Sequence, residues 1–254
     1  MVESIILVFM KLKLNHPFSF MQILFGKTTV WCSNTFFKTL PIISAVLSEA
    51  IYWPDKESIL QNMPTCFKKY RNTRVVVDCT EVPVERKTKC LKCRMATYSQ
   101  YKGCHTVKFM VCVSPDGVIT HLSKVFGGRV SDKVIFEESG VVEKLEPFVD
   151  AVMADKGFMI DAVLGERCIA LHRPPFLRRQ RQFSKADARC TAELASARVH
   201  VERVIGRLKT YKILVHKLPW RMVPYFGMIV KVVSAITNLS APILASDKFA
   251  SSER

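Results

Sequence analysis

Along residues 1–70 the apolar positions recur with a helical period; beyond them the period shortens toward alternation. Residues 4–14 read as an amphipathic helix stopped at Asn15-His16-Pro17. Residues 18–25 read as a short second helix closed by Gly26, and residues 28–40 as a third that Thr28 or Thr29 can cap. Helix, glycine-containing turn, helix is the outline of a helix-turn-helix. On that reading Trp31, Asn34 and Lys38 would face DNA; three packing helices without such a role account for the same pattern. Pro64, Lys68, Lys69 and Arg71 then mark a linker over residues 62–72.

From Arg74 onward the texture is that of strands. Val75-Val76-Val77 is a β-branched run expected to end at Asp78. Residues 107–113 form a second strand and residues 118–126 a third, joined as a hairpin through Ser114-Pro115-Asp116-Gly117 and stopped by Gly127-Gly128. Asp132 stands where a helix over residues 133–138 needs its N-cap. Ala151-Val152-Met153-Ala154 is a fourth strand that ends at Asp155. A basic, proline-containing stretch over residues 173–185 leads into a long helix over residues 186–211. Residues 225–244 are apolar enough to raise the question of a membrane span, but Lys231, Asn238 and Pro242 interrupt them, so a buried helix and no membrane association are expected. There is no internal repeat.

Composition sharpens this outline. In 254 residues, 49% apolar content supplies a packed core, and a polar, disordered tail is expected only over residues 246–254. The formal net charge is +16. Residues 86–108 hold seven basic side chains and no acid, and residues 173–221 hold thirteen against Asp187, Glu193 and Glu202. Such clusters attract polyanions, of which nucleic acid is the commonest large one. Nine cysteines, an odd number set mostly in apolar runs, read as reduced thiols and not as a disulfide framework. No secretory signal is expected, since residues 5–10 are too short a run and Glu3 precedes them.

Three acids stand out by position: Asp78 and Asp155 at strand ends, and Glu202 in the long helix. They are separated by 77 and 47 residues. Moving a phosphodiester bond needs an activated oxygen nucleophile and a stabilised leaving oxygen, which divalent ions held by carboxylates supply. In the helix, Leu194, Ala197, Val201, Ile205 and Leu208 form one apolar stripe. Glu202 lies beside that stripe on the flank shared with Arg198 and Lys209. Two plainer readings stay open: Glu202 pairs with Arg198 at i, i+4, and the aspartates are only strand-end turn formers.

At these residues the chain resembles the DDE superfamily endonuclease domain of PIF/Harbinger-like DNA transposases. The matching words are Val77-Asp78-Cys79-Thr80-Glu81-Val82, Tyr98-Ser99-Gln100-Tyr101-Lys102, Ser114-Pro115-Asp116-Gly117, Gly127-Gly128-Arg129-Val130-Ser131-Asp132-Lys133, Met153-Ala154-Asp155-Lys156-Gly157-Phe158, Pro174-Pro175-Phe176-Leu177 and residues 198–209. They stand in the family's order. The resemblance implies an α/β chain with a ribonuclease H-like mixed sheet flanked by helices, preceded by a small helix-turn-helix-like module. The domains it implies are a helical module and linker over 1–72, a nuclease domain over 73–245 and the tail. It carries Asp78, Asp155 and Glu202 over as a catalytic, metal-binding triad for Mg²⁺ or Mn²⁺, with Asp132 a further candidate ligand. It also implies cut-and-paste transposition in the nucleus, DNA as partner and a Myb-like DNA-binding partner protein; a homo-oligomer is a further partner to look for, and the sequence does not set the oligomeric state. The alternative is a catalytically silent, transposase-derived DNA-binding or adaptor protein. No zinc finger precedes residue 1, so a fragment or shortened copy is expected.

The basic residues expected to hold DNA phosphates are Lys102, Lys108, Arg173, Arg178, Arg179, Arg181, Lys185, Arg198, Arg203, Arg207 and Lys209. Cys90, Cys93 and then Cys104-His105 have permissive zinc spacing, yet unpaired thiols are the better reading. His200 is either a proton shuttle or a buried histidine that holds the helix, and the second is preferred. For Asp132 the N-cap role is preferred over ligation.

Overall fold

The chain is described by a computed structural model that covers residues 1–87, 89–175 and 185–241, with side chains of the last segment from residue 188. Its first helices are α1 (Val2–Leu14), α2 (Phe18–Phe25) and α3 (Thr29–Leu47), close to the sequence pattern. Local chemistry sets their ends. Asn15 closes α1 and Gly26 closes α2, both in the left-handed region at φ 53° and 59°. The Thr28 hydroxyl accepts the Trp31 N–H at 3.1 Å, capping α3. On α3, Asn34 and Lys38 are exposed, whereas Trp31 is half-buried with the Lys27 ammonium 5.8 Å from its ring. A short α4 (Lys56–Gln61) is capped by Asp55, whose carboxylate accepts the Ser58 N–H at 2.7 Å. The stretch read as a linker is pinned down by fully buried Met63 and Phe67.

The sheet is built from β1 (Thr73–Pro83), then, after α5 (Leu91–Thr97), from β2 (Tyr98–Ser99), β3 (Cys104–Val113), β4 (Ile119–Leu122) and β5 (Phe126–Gly127). Helix α6 (Asp132–Glu137) precedes β6 (Ala151–Ala154), and α7 (Asp161–Glu166) precedes β7 (Ala170–His172). Long helix α8 (Lys185–Leu208) and buried α9 (Phe226–Leu239) complete the described elements. The strand order is β2-β3-β1-β6-β7, with β4 and β5 also paired to β3. Strand β1 is antiparallel to β3 and parallel to β6, and β6 is parallel to β7, so the sheet is mixed with its change of direction at β1.

Three expectations are corrected. The first strand does not end at Asp78. It continues to Pro83 because Glu81, Val82 and Pro83 keep pairing with Lys108, Val107 and Thr106, and Thr106 and Lys108 give Glu81 a hydroxyl and a cation across the ladder. The expected third strand is divided into β4 and β5, and a register irregularity stands between Cys112 and Val113. The N-cap of α6 is Ser131, whose hydroxyl accepts the Val134 N–H; Asp132 is the first helical residue and is free to turn elsewhere. Glycine is needed at 127 and 128, because a Cβ on Gly127 would run into the Ala96 carbonyl and one on Gly128 into the Thr106 hydroxyl.

Both faces of the sheet are covered, as a mixed sheet with buried central strands requires. Alternation along β1 sends Val75 and Val77 to one face and Val76 and Val82 to the other. On the first face they meet Met110, Val152, Ile135 and Phe136. On the second, the core is continuous from Leu7, Leu12, Phe36 and Leu40 of the first helices through Phe109 and Met153 to Val201, Phe226 and Ile229 of α8 and α9. Two helical stretches, Thr29–Ala50 and Trp220–Leu239, have the length and hydropathy of a membrane span. Both contribute to this core, and α9 alone buries eight of its residues.

Candidate active site

The period of two along β1 places Asp78 and Thr80 on the same face as Val76 and Val82, the face covered by α8. Parallel pairing sets Val77 beside Ala154, so the next residues, Asp78 and Asp155, are neighbours where β6 ends. Met153 belongs to the α8 side of the core, and Asp155, two residues on, follows it. Above them the stripe Leu194, Ala197, Val201, Ile205 and Leu208 is buried and seats α8 on the sheet. The flank next to that stripe carries Arg198 and Glu202 toward the strand ends. A cavity of about 550 Å³ results, with Asp78, Asp155, Glu202, Asp132, Lys108 and Arg198 in its wall; Lys102 and Lys209 also line it.

Its charges are arranged in pairs. The Arg198 guanidinium, largely buried, donates to Asp155 Oδ1 at 3.0 Å. The plainer expectation, Arg198 with Glu202 on the same helix, is therefore not what forms. Glu202 is exposed and has no ion-pair partner among the described residues. Lys108 lies 2.6 Å from Asp132 Oδ1 and 3.7 Å from Glu81 Oε1. Burial works against the Lys108 ammonium, but its hydrogen bond to Asp132 and the surrounding negative charge outweigh that and hold its pKa above the usual lysine value. Burial first, and then the same carboxylate, push the Cys79 thiol well up, so it stays protonated.

Asp78 is the perturbed member. Burial pushes its carboxyl from 3.8 to about 6; Arg198 and the Cys79 N–H, which it accepts at 2.8 Å, oppose the shift, and the charges of Asp155 and Asp132 add to it. A half-buried carboxylate beside a second and third one is the donor chemistry a hard divalent cation suits. Among the described residues no three acidic, histidine or cysteine side chains are already gathered as an ion cage. Asp78, Asp155 and Glu202 are the acids of this wall that such an ion could draw on.

The other expected residues lie as follows. Arg173 forms a two-pronged pair with Asp161, both contacts 2.8 Å, and also donates to the Phe158 carbonyl at 2.7 Å, tying β7's exit to α7. Arg203 is exposed on α8, and Arg207 donates to the Ala241 carbonyl at 2.5 Å. Arg178, Arg179 and Arg181 lie outside the described residues, as does the side chain of Lys185. His200 is buried, 2.9 Å from Cys66 Sγ and tilted over the Phe67 ring, which is the structural role preferred for it. Cys90 and Cys93, read as unpaired thiols, are joined as a disulfide: Cys90 caps α5, and the first helical turn brings the two Cα atoms to 5.3 Å. Cys104 is free. Sequence reasoning treated Arg198 only as a DNA contact or a partner for Glu202, and Lys108 only as a DNA contact. Their spacing gave no sign of Asp155 or Asp132, since those contacts join separate elements.

A family model described as DDE superfamily endonuclease matches residues 77–238, from the residue before Asp78 to the last turn of α9. No curated protein matches the chain.

Proposed function

The chain belongs to the DDE superfamily endonucleases, a family that acts on DNA, and from that premise we propose that it is a PIF/Harbinger-like transposase that cuts and joins DNA phosphodiester bonds through Asp78, Asp155 and Glu202. The observation that carries the proposal is the parallel pairing of β1 with β6, which sets Asp78 beside Asp155 beneath the α8 flank that bears Glu202. Strand β1, with antiparallel β3 on one side and parallel β6 on the other, supports a ribonuclease H-like reading of the sheet.

Asp78 and Asp155 would hold Mg²⁺ or Mn²⁺, with Glu202 completing the set. The bound ion would activate the attacking oxygen and neutralise the leaving one. The chain's own residues prepare this. Arg198 orients the Asp155 carboxylate through its hydrogen bond. Lys108 fixes Asp132 at the wall, where that acid adds negative potential without leaving its lysine. Lys102 and Lys209 offer positive charge to the phosphates that approach the acids. The exposed α3 residues Asn34 and Lys38 belong to the proposed helix-turn-helix-like module. The resemblance extends the proposal to action in the nucleus and to a Myb-like partner.

The test is Mg²⁺- or Mn²⁺-dependent cleavage of DNA, comparing the native chain with Asp78→Ala, Asp155→Ala and Glu202→Ala. Each variant is expected to lose cleavage by at least about a hundredfold, and equal activity in all of them would remove the assignment. The pairing of Arg198 with Asp155 favours a second reading, a transposase-derived protein that binds DNA without cutting it. Salt-sensitive DNA binding with no cleavage under any divalent ion would select that reading.

A further inference from the structure

A second cavity, of about 530 Å³, opens beside α5 and β2, away from the acid pocket. Arg86, Arg94 and Arg129 converge on it from three separate segments, and no carboxylate lines it. None of these guanidinium groups has an ion-pair partner among the described residues, and Arg94 Nε is buried without a hydrogen-bond partner. Gathering three like charges in one wall is unfavourable unless an anion joins them. The close approach that Gly127 and Gly128 permit is what seats Arg129, whose N–H donates to the Ala96 carbonyl at 3.3 Å.

Besides Gln100 and His105, the remaining wall is apolar and aromatic. Leu91, Met95 and Tyr98 line it, yet they are 62%, 52% and 45% exposed. The Tyr98 ring is held edge-on to His105 at 5.5 Å, and His105 is fixed in turn by the Thr97 hydroxyl at 3.0 Å. Burial first, and then the charges of Arg86, Arg94 and Lys217, lower the His105 pKa. Guanidinium groups on one side and a ring with apolar neighbours on the other match the two halves of a nucleotide, a phosphate and a base.

The cavity is also placed to meet a strand that occupies the acid pocket. The turn between β2 and β3 separates the two: Gln100 lines this cavity, while Tyr101 and Lys102 line the other. We propose that this cavity holds a nucleotide of the DNA strand that crosses the β2–β3 turn from the acid pocket, with its phosphate on Arg86, Arg94 and Arg129 and its base against Tyr98, Leu91 and Met95. The proposal rests on the DNA-nuclease reading of the acid pocket and adds a second, non-catalytic contact to it.

The experiment measures binding of a labelled single-stranded oligonucleotide by fluorescence anisotropy in EDTA, across a salt series. The Arg86→Ala/Arg94→Ala/Arg129→Ala variant is expected to bind at least about tenfold more weakly, with the log–log salt slope flatter by roughly 0.7 for each phosphate no longer neutralised. Tyr98→Ala is expected to weaken binding about tenfold without changing the slope, because it removes stacking and no charge. Should circular dichroism show the triple variant unfolded, Arg94→Gln alone supplies the comparison, with the slope again expected to flatten. If the native chain binds and the arginine variants match it in affinity and slope, the cavity is not a nucleotide site, and the nuclease reading stands. If the native chain shows no salt-dependent binding and no cleavage, both fall together.

Discussion

Replacing Asp78 by asparagine should make the folded chain more stable. Asparagine keeps the shape of the side chain and an oxygen that accepts the Cys79 N–H, now at 2.8 Å, while it removes the charge. Burial holds the Asp78 carboxyl at about 6 in the fold against 3.8 in the unfolded chain, even with Arg198 opposing the shift. The sign follows from the order of these values. As pH rises the unfolded chain releases its proton first, so the folded state binds more protons between the two values, and ionised Asp78 costs stability above about 6. At 1.36 kcal/mol per pH unit the full cost is on the order of 3 kcal/mol. Urea denaturation of both proteins in EDTA gives the difference directly. The Asp78→Asn variant should be the more stable by about 3 kcal/mol near pH 8, by about half as much near pH 5, and by almost nothing below about pH 4. Mg²⁺ should narrow the gap near pH 8 by stabilising the native chain alone. Equal stabilities near pH 8, or a gap that does not change with pH, would show that Asp78 is not held against its ionisation and would refute the reasoning.

Four further outcomes are expected. Arg198→Ala removes the nearest positive charge, so the Asp78 carboxyl should titrate above its native value of about 6 when followed by NMR, and an unchanged titration would discard the role given to Arg198. Gly127→Ala, whose new Cβ meets the Ala96 carbonyl, should cost roughly 2 kcal/mol or more by thermal or urea denaturation. Gly165→Ala, at a position in α7 with nothing within 4 Å, should be neutral or stabilising by up to about 1 kcal/mol. Phe226→Ala, at a fully buried ring 5.8 Å from Phe109, should cost about 3–5 kcal/mol; a loss below about 1 kcal/mol would show that α9 does not anchor the sheet.

The sequence by itself determined those features whose causes lie within a few residues. Asn15, Gly26 and Thr28 close or open helices through their own backbone preference or hydroxyl, so α1, α2 and the start of α3 could be read directly. The apolar stripe of α8 and the four-residue run of β6 are likewise local periods, and with them came the positions of Asp155 and Glu202. Short β7 was missed because three residues carry no period to read, and α5 because Lys92 and Arg94 alternate with its apolar residues and hide a helical period. What only the tertiary structure decided is which neighbour each polar side chain meets. Asp78 sits in mid-strand because Glu81 and Val82 go on pairing with β3, a partner more than twenty residues away. Arg198 turns from Glu202, one helical turn on, to Asp155, forty-three residues back, and Asp132 gives up the cap to Ser131 and takes Lys108. Each choice is settled by burial. The cations are what lose solvation: the Arg198 and Lys108 side chains are each 12% exposed, against 51% for Asp155 and 29% for Asp132. Each buried cation therefore takes whichever carboxylate the packing brings within reach, while Glu202 on its exposed flank remains with water at little cost.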